Sequence, residues 1–469
     1  MSDKQLFAVH AVVLSVLLAL AYHEVRNHYF VWDTIPFVLE NPWIHEWTFD
    51  NVIAMFTKAH MANWQPVVLL SHALDFTLFG NNAGLHHLTN LVLHIANALL
   101  LYALISRILL LTGRPARLAG WIGFLTALIF GLHPQHVESV AWVAERKDVL
   151  YSFFALISLL LYLKYSGTGE KRPASLIWPF VFFCISIAAK PMAVTLPVIL
   201  LLLDIYPLNR CKSPSDLAAL IIEKLHYFLV TAIVIVITLT TQSLAMPDAV
   251  DLPLWARALN AIDNTLFYVA GYVWPVDLSP FYPYPQDAAY LQSASFWLPG
   301  LLFLLATSVV TVWMFYRGVQ WPLLLFAFYL VTLSPVSGLI HVGPAKATDH
   351  YVYLATIPFS LLTALAIAWG WTKADLAKLL SISLTILYLV SLLLMTQLQV
   401  TYWNNPLTLW SRVAQLYPES PFAHRNLAAA YVQLGDQQQA LHHAELSLKF
   451  GSPDIEYVRK LRAHAGQQQ

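Results

Sequence analysis

Apolar residues gather along this chain in long blocks divided by short polar breaks, a pattern that predicts helices crossing a membrane. Eleven such blocks centre in 6–22, 88–111, 118–132, 149–163, 175–189, 191–203, 220–241, 296–315, 321–340, 351–371 and 376–398. Several fall short of the ~20 residues that a clean crossing needs. Short spans are tolerable where their ends meet a water-filled cavity inside the protein and not lipid. The segment 252–274 carries Arg257, Asp263 and Asn264 and reads as an interfacial or re-entrant helix. Residues 49–59, FDNVIAMFTKA, read as an amphipathic helix lying on the membrane.

Composition agrees. Of 469 residues, 58% are hydrophobic and only 11% charged, against about 25% charge in soluble domains. Net charge is zero, so nothing points to nucleic acid. Cys184 and Cys211 show no metal-binding or disulfide spacing. The first apolar block lacks a small-residue cleavage site and reads as an uncleaved span. Basic residues crowd one set of short connections, among them Arg107, Arg114, Arg117, Lys164, Lys171, Arg172, Arg210 and Lys212. That bias predicts a cytoplasmic N-terminus and an external C-terminus. It places 24–87, 133–148, 243–295, 341–350 and the tail on one external face.

The chain divides into a transmembrane part, 1–400, and a polar helical tail, 401–469. In the tail, Leu427, Ala428, Tyr431, Gly435 and Ala440 have the spacing of a TPR helix pair, and a generic Ala-rich hairpin is the alternative. So short an array should lean on the membrane part or on a partner.

Polar groups on the external face are candidates for chemistry. In YFVWDTIPFVLENPWIHEW, Asp33 follows Trp32. It is either a turn residue near Pro36 or a general base whose aromatic surroundings exclude water and raise its pKa. HPQHVESVAWVAERKD, 133–148, holds a mixed-sign cluster where lipid would make it costly. A helix there would align Glu138, Trp142 and Glu145, with Arg146 and Asp148 flanking. Glu145, Arg146, Lys147 and Asp148 could instead be a snorkelling helix end. Its two histidines make at most a weak metal pair. Lys190 sits at a proline break, Tyr282 and Tyr284 lie in a proline-rich loop suited to walling a cavity, and Lys346, Asp349, His350 and Tyr351 open span ten. Such cations suit a lipid-linked phosphate. Asp204, His226, His86, His87 and His94 read as structural.

Several strings, in order, resemble the transmembrane-and-TPR proteins, a family that includes the TMTC O-mannosyltransferases of the endoplasmic reticulum and bacterial relatives. They are FVWDTIPFVLENPWI, GLHPQHVESVAWVAERKDVLYSFFALISLLLYLKY, AAKPMAVTLPVILLLLDIYPL, FYPYP and TDHYVYL. The resemblance implies an all-α GT-C glycosyltransferase fold, a polyprenyl-phosphate-linked sugar as donor and a protein or glycan acceptor, met in part through the tail. It implies Asp33 and Glu138 as catalytic, with Arg146, Asp148, Lys190, Lys346 and His350 around the donor phosphate. Trp32, Tyr282, Tyr284 and Tyr351 would wall the cavity. Thr34 stands where the family has a second acid, and His350 where relatives often have arginine. No metal or other cofactor is expected, a divalent cation being the alternative. The expected location is a bacterial inner membrane, with the endoplasmic reticulum second. A lipid-linked-sugar flippase and a non-catalytic membrane-held TPR scaffold are the rival functions.

Overall fold

The structure is a computed structural model that describes residues 2–166, 176–245, 253–284, 288–340 and 345–466. Lys171, Arg172, Pro285 and residues 341–344, all used in the sequence reading, lie outside the described residues. Each of the eleven apolar blocks contains a helix. Among the described residues six helices are long and apolar enough to cross a membrane: Asp3–Ala21, Ala83–Leu111, Val143–Ser166, Leu225–Gln242, Tyr290–Tyr316 and Asp375–Tyr402. The protein is therefore a multi-pass, predominantly helical membrane protein.

The remaining blocks form shorter helices, and their lengths have a cause. Ile177–Ala189, Trp321–Leu333 and Ile357–Gly370 have 13, 13 and 14 residues. At 1.5 Å per residue they span roughly 20 Å of a ~30 Å hydrocarbon layer. The first gives way to Lys190, the second to Ser334, and the third follows His350; all three residues line one polar cavity. A helix whose end faces an internal cavity need not cross the full layer, because the protein and the cavity can satisfy its last backbone groups.

Helix Ala83–Leu111 is the axis of the bundle and packs on Ala116–Leu132 and on Arg146–Ser166, which in turn packs on Ile177–Ala189. The first contact is close because position 123 is glycine: a Cβ there would come within 2.3 Å of Ser106 Oγ and 3.0 Å of Tyr102 O. Leu254–Val273 is an amphipathic helix, as its composition suggests. Asn260, Asn264, Tyr268 and Tyr272 are buried, whereas Leu254, Trp255, Val273 and Trp274 are exposed. Phe49–Thr57 is likewise amphipathic and leaves Phe49, Ile53 and Phe56 exposed.

Two expectations change. The region 24–87 is more than a loop, since it also carries helix Pro66–Phe79. The stretch 133–148 is neither one helix nor an exposed connection. It breaks into short turns, Pro134–His136, Val137–Ala141 and Val143–Glu145, before helix Arg146–Ser166 begins. All of it is buried except the half-buried Lys147. The turn at Pro134 bends the path by 58°, because proline lacks the N–H that would continue the preceding helix.

After Tyr402 come four helices, Pro406–Leu416, Pro421–Gln433, Gln437–Lys449 and Ile455–Gly466. The second and third form a hairpin closed by Gly435 at φ 78°. Ala428, Ala440 and Ala444 are buried, and their small side chains let the helices approach.

Candidate functional site

A cavity of about 510 Å³ opens where the short helices end. Trp32, Trp142, Phe281 and Tyr351 give it aromatic walls, Ile235, Leu239 and Ile340 an apolar rim, and Asp33, Glu145, Lys147 and Lys190 its charges. Bulk water is partly excluded, so charges here interact more strongly than in solvent.

Asp33 sits in a tight turn, closed by the Thr34 amide donating to Val31 O at 3.1 Å. Trp32 precedes it at φ 53°, and Met61 and Ala62, which also line the cavity, have φ of 46° and 64°. Such values cost a side-chain-bearing residue about 1–3 kcal/mol and persist only where packing enforces them. The packing is visible: the Trp32 and Trp142 rings stack at 4.5 Å and 3°. Burial pushes the Asp33 carboxyl above the ordinary range, Lys147 partly offsetting and Glu145 reinforcing the shift. A carboxylate so placed is a stronger base than one in water.

Behind the cavity wall lies a buried ion network. Lys190 Nζ is 2.5 Å from Asp148 and 3.4 Å from Glu145, and Lys147 Nζ is 2.6 Å from the other Glu145 oxygen. His350 donates through Nδ1 and its main-chain N–H to Glu138, at 2.8 and 3.1 Å. Burial pushes the His350 imidazole well below its ordinary pKa, with Glu145 opposing the shift and Lys190 and Lys147 reinforcing it. Glu138 is 2% exposed, and both oxygens are occupied by His350. Its place is behind His350, away from the reacting space. Asp148 likewise stands one layer back and fixes Lys190.

Four other candidates point elsewhere. Arg146 is fully buried and saturated: Asp75 at 2.6 Å, Asn90 Oδ1 at 2.8 Å, His86 O at 2.9 Å and Ser71 at 3.3 Å take its N–H groups. Lys346 pairs with Asp263 at 2.5 Å and lies over the Phe267 and Phe296 rings. Tyr282 donates to Asp349 at 3.1 Å from a two-stranded ribbon, Tyr282–Pro283 against Ala345–Ala347. Tyr284 follows that ribbon outside the cavity wall. Of the eleven sequence candidates, Trp32, Asp33, Lys190, His350 and Tyr351 meet at the cavity. The histidines of HPQH share no ligand position, because His133 bonds to Tyr272 O and His136 to Phe130 O and Thr356.

No family model matches the chain. Human protein O-mannosyl-transferase TMTC2 is 35% identical over 138 residues, 29% of this chain and 15% of that protein. Human TMTC1 is 26% identical over 230 residues, 45% of this chain and 25% of that protein. Mouse TMTC4 is 32% identical over 128 residues, 25% of this chain and 17% of that protein. The chain is similar to these TMTC proteins over a quarter to under half of its own length. It spans well under a third of the length of these curated relatives. Among solved structures, ArnT from Cupriavidus metallidurans bound to undecaprenyl phosphate aligns over 94% of this chain and 75% of its own, with TM-score 0.41 and 13% identity.

By sequence, Lys147 belongs to the charged run 145–148, for which a snorkelling helix end is one reading. It is the half-buried cation of the cavity, while its neighbour Arg146 is locked inside. Adjacent residues on a helix point about 100° apart, so only one of the pair can face the cavity. Which one depends on where helix Arg146–Ser166 starts, and the break after Glu145 sets that phase. The uneven burial of the AERKD string could not be read from its letters. A second buried cluster, Asp204 with Arg210 at 2.7 Å and Lys224 at 2.5 Å, closes the opposite end of the bundle. It is structural, in keeping with the reading of Asp204.

Proposed function

We propose that this chain is an inverting, membrane-embedded glycosyltransferase of GT-C type. It moves a hexose, mannose as first candidate, from a polyprenyl-phosphate donor to a hydroxyl of a protein or glycan. The observation that carries this reading is one cavity holding a desolvated carboxylate, Asp33, together with two lysines, Lys147 and Lys190, between aromatic walls and an apolar rim. The Asp33 carboxylate takes the proton of the acceptor hydroxyl as its oxygen bonds to the anomeric carbon. The anomeric C–O bond to phosphate breaks, and the lipid phosphate leaves with the electron pair. Lys147 and Lys190 stabilise the charge that grows on it. The apolar rim suits the prenyl chain. The basic-residue bias supports a cytoplasmic N-terminus and chemistry on the external face, with the TPR-like tail beside the acceptor entrance.

The test is turnover of mannosyl-phosphoryl-undecaprenol by the full chain in liposomes, read as loss of lipid-linked mannose. A glycan comparison between a deletion strain and its parent would identify the product. Lys147→Ala is expected to raise the donor KM about tenfold or more, since a hydrogen bond to a charged group contributes roughly 1.5–3 kcal/mol. Glu145 keeps Lys190 as a partner, so the fold should survive. An unchanged donor KM would remove Lys147 from the phosphate site.

We expect catalysis without a metal ion, and the buried cluster behind the cavity supports that reading. Donor atoms of Glu145, Asp148 and His350 lie within 4.8 Å of one another, a spacing that could hold a metal ion. The Lys190 ammonium already occupies the Asp148 side of that group, at 2.5 Å. A divalent ion would have to enter against a fixed positive charge. Turnover is expected to persist in EDTA, whereas loss restored by Mg²⁺ or Mn²⁺ would overturn this part of the reading.

A further inference from the structure

The tail packs directly behind the cavity wall. Trp410, on the first tail helix, is buried and meets the Trp32 ring edge-on at 4.9 Å. Phe422, at the start of the next helix, stacks on Phe281 at 4.5 Å and lies 6.1 Å from Trp32. Trp403 backs Trp142 from the far side at 5.6 Å. Main-chain contacts secure the arrangement: Tyr29 N–H donates to Asn404 O at 2.9 Å, and Arg412 donates to Val276 O at 3.2 Å. Trp32 is thus enclosed by Trp142 on one face and by tail aromatics at its edge.

We infer that Trp410 and Phe422 are positioning residues: they hold Trp32 in its left-handed conformation and so aim Asp33 into the cavity. The inference rests on the reading of Asp33 as the base. The turn Val31–Thr34 has positive φ at its second residue, a position where glycine is the usual choice. A tryptophan adopts that conformation only when the surroundings over-determine it, and the tail supplies two of its four ring neighbours, Trp410 and Phe422, beside Trp142 and Phe281. Main-chain bonds also hold the turn, Thr34 N–H to Val31 O at 3.1 Å, Ile35 N–H to Trp32 O at 3.3 Å and Phe37 N–H to Asp33 O at 3.0 Å, and the ring packing adds to them by seating the Trp32 side chain. Releasing the Trp32 ring would remove the packing that favours its left-handed backbone, and the turn would relax and shift the Asp33 side chain. The tail on this view is part of the reaction centre, whatever acceptor it also meets.

The experiment uses the full chain in liposomes with mannosyl-phosphoryl-undecaprenol and compares Trp410→Ala, Trp410→Phe, Phe422→Ala, Trp32→Ala and the double variant Trp32→Ala/Trp410→Ala. Rates are taken per folded molecule. Trp410→Ala and Phe422→Ala should lower kcat by about tenfold to a hundredfold, the scale of a 1 Å misplacement, with donor KM changed less than twofold. Trp410→Phe should recover most of the rate. The double variant should be no slower than the worse single one, since both act through one side chain. The acid limb of the rate profile should also move to lower pH in Trp410→Ala, as water reaches Asp33. Parental kcat and pH profile in Trp410→Ala, or additive losses in the double variant, would overturn the inference. Asp33→Asn separates the two readings. If it is inactive while Trp410→Ala is parental, only the positioning role falls; if it is active, the assignment of Asp33 falls and the positioning role with it.

Discussion

Asp33→Asn is expected to abolish sugar transfer while leaving a folded, membrane-inserted protein. The amide has the size of the carboxylate but cannot accept the acceptor's proton, and general-base assistance is worth about 10²–10⁴-fold. Stability should not suffer, because burial already disfavours the charge that the substitution removes. Size-exclusion behaviour and the thermal midpoint should match the parent or exceed it slightly. The parent enzyme has its own signature. Only the ionised carboxylate is a base, and its pKa lies above the ordinary carboxylate range. Rate should therefore fall as pH drops through that raised value, at higher pH than an exposed aspartate would give. Turnover by Asp33→Asn within tenfold of the parent would remove Asp33 from the chemistry.

Arg146→Ala is expected to fail differently, in folding and not in turnover. The guanidinium is fully buried and answers the Asp75 carboxylate at 2.6 Å, together with Asn90, Ser71 and His86. Removing it leaves a buried carboxylate uncompensated, a loss of about 3–5 kcal/mol from a total stability of roughly 5–15 kcal/mol. The yield of folded protein should collapse, and what folds should keep the parental donor KM. Arg146→Met combined with Asp75→Leu should recover much of the yield, since an apolar pair of similar volume avoids the unpaired charge. The contrary result would be a well-folded Arg146→Ala variant with a raised donor KM. That would make Arg146 the phosphate ligand that its place in the motif suggested.

The contrast between Arg146 and Lys147 shows where reading the chain stops. The AERKD string announces charge at membrane depth, and that part is legible because lipid solvates none of it. It does not announce which charge is spent on the fold. Glu138 is a similar case: its letters allow a catalytic acid, but His350, more than two hundred positions later, takes both its oxygens. Lys346 was drawn to the phosphate by its sign, and Asp263 holds it elsewhere. In each case the deciding partner lies far along the chain.

By itself the sequence determined the helices, the membrane and the two best cavity residues. Apolar blocks of helical length have no stable alternative in lipid, where every backbone group must be satisfied within the segment. Asp33 reads from its letters as either a turn residue or a base, and it was the family resemblance that singled it out; Lys190 stood out because an ammonium at a proline break needs an anion. Tertiary structure alone decided the rest: that helix Arg146–Ser166 starts one residue before Lys147 and turns it to the cavity, that Asp75 claims Arg146, and that Trp410 and Phe422 close on Trp32. Local patterns set the period and burial of a helix face. The pairing of one buried charge or ring with another is a long-range choice, made by the few arrangements in which every buried polar group finds a partner.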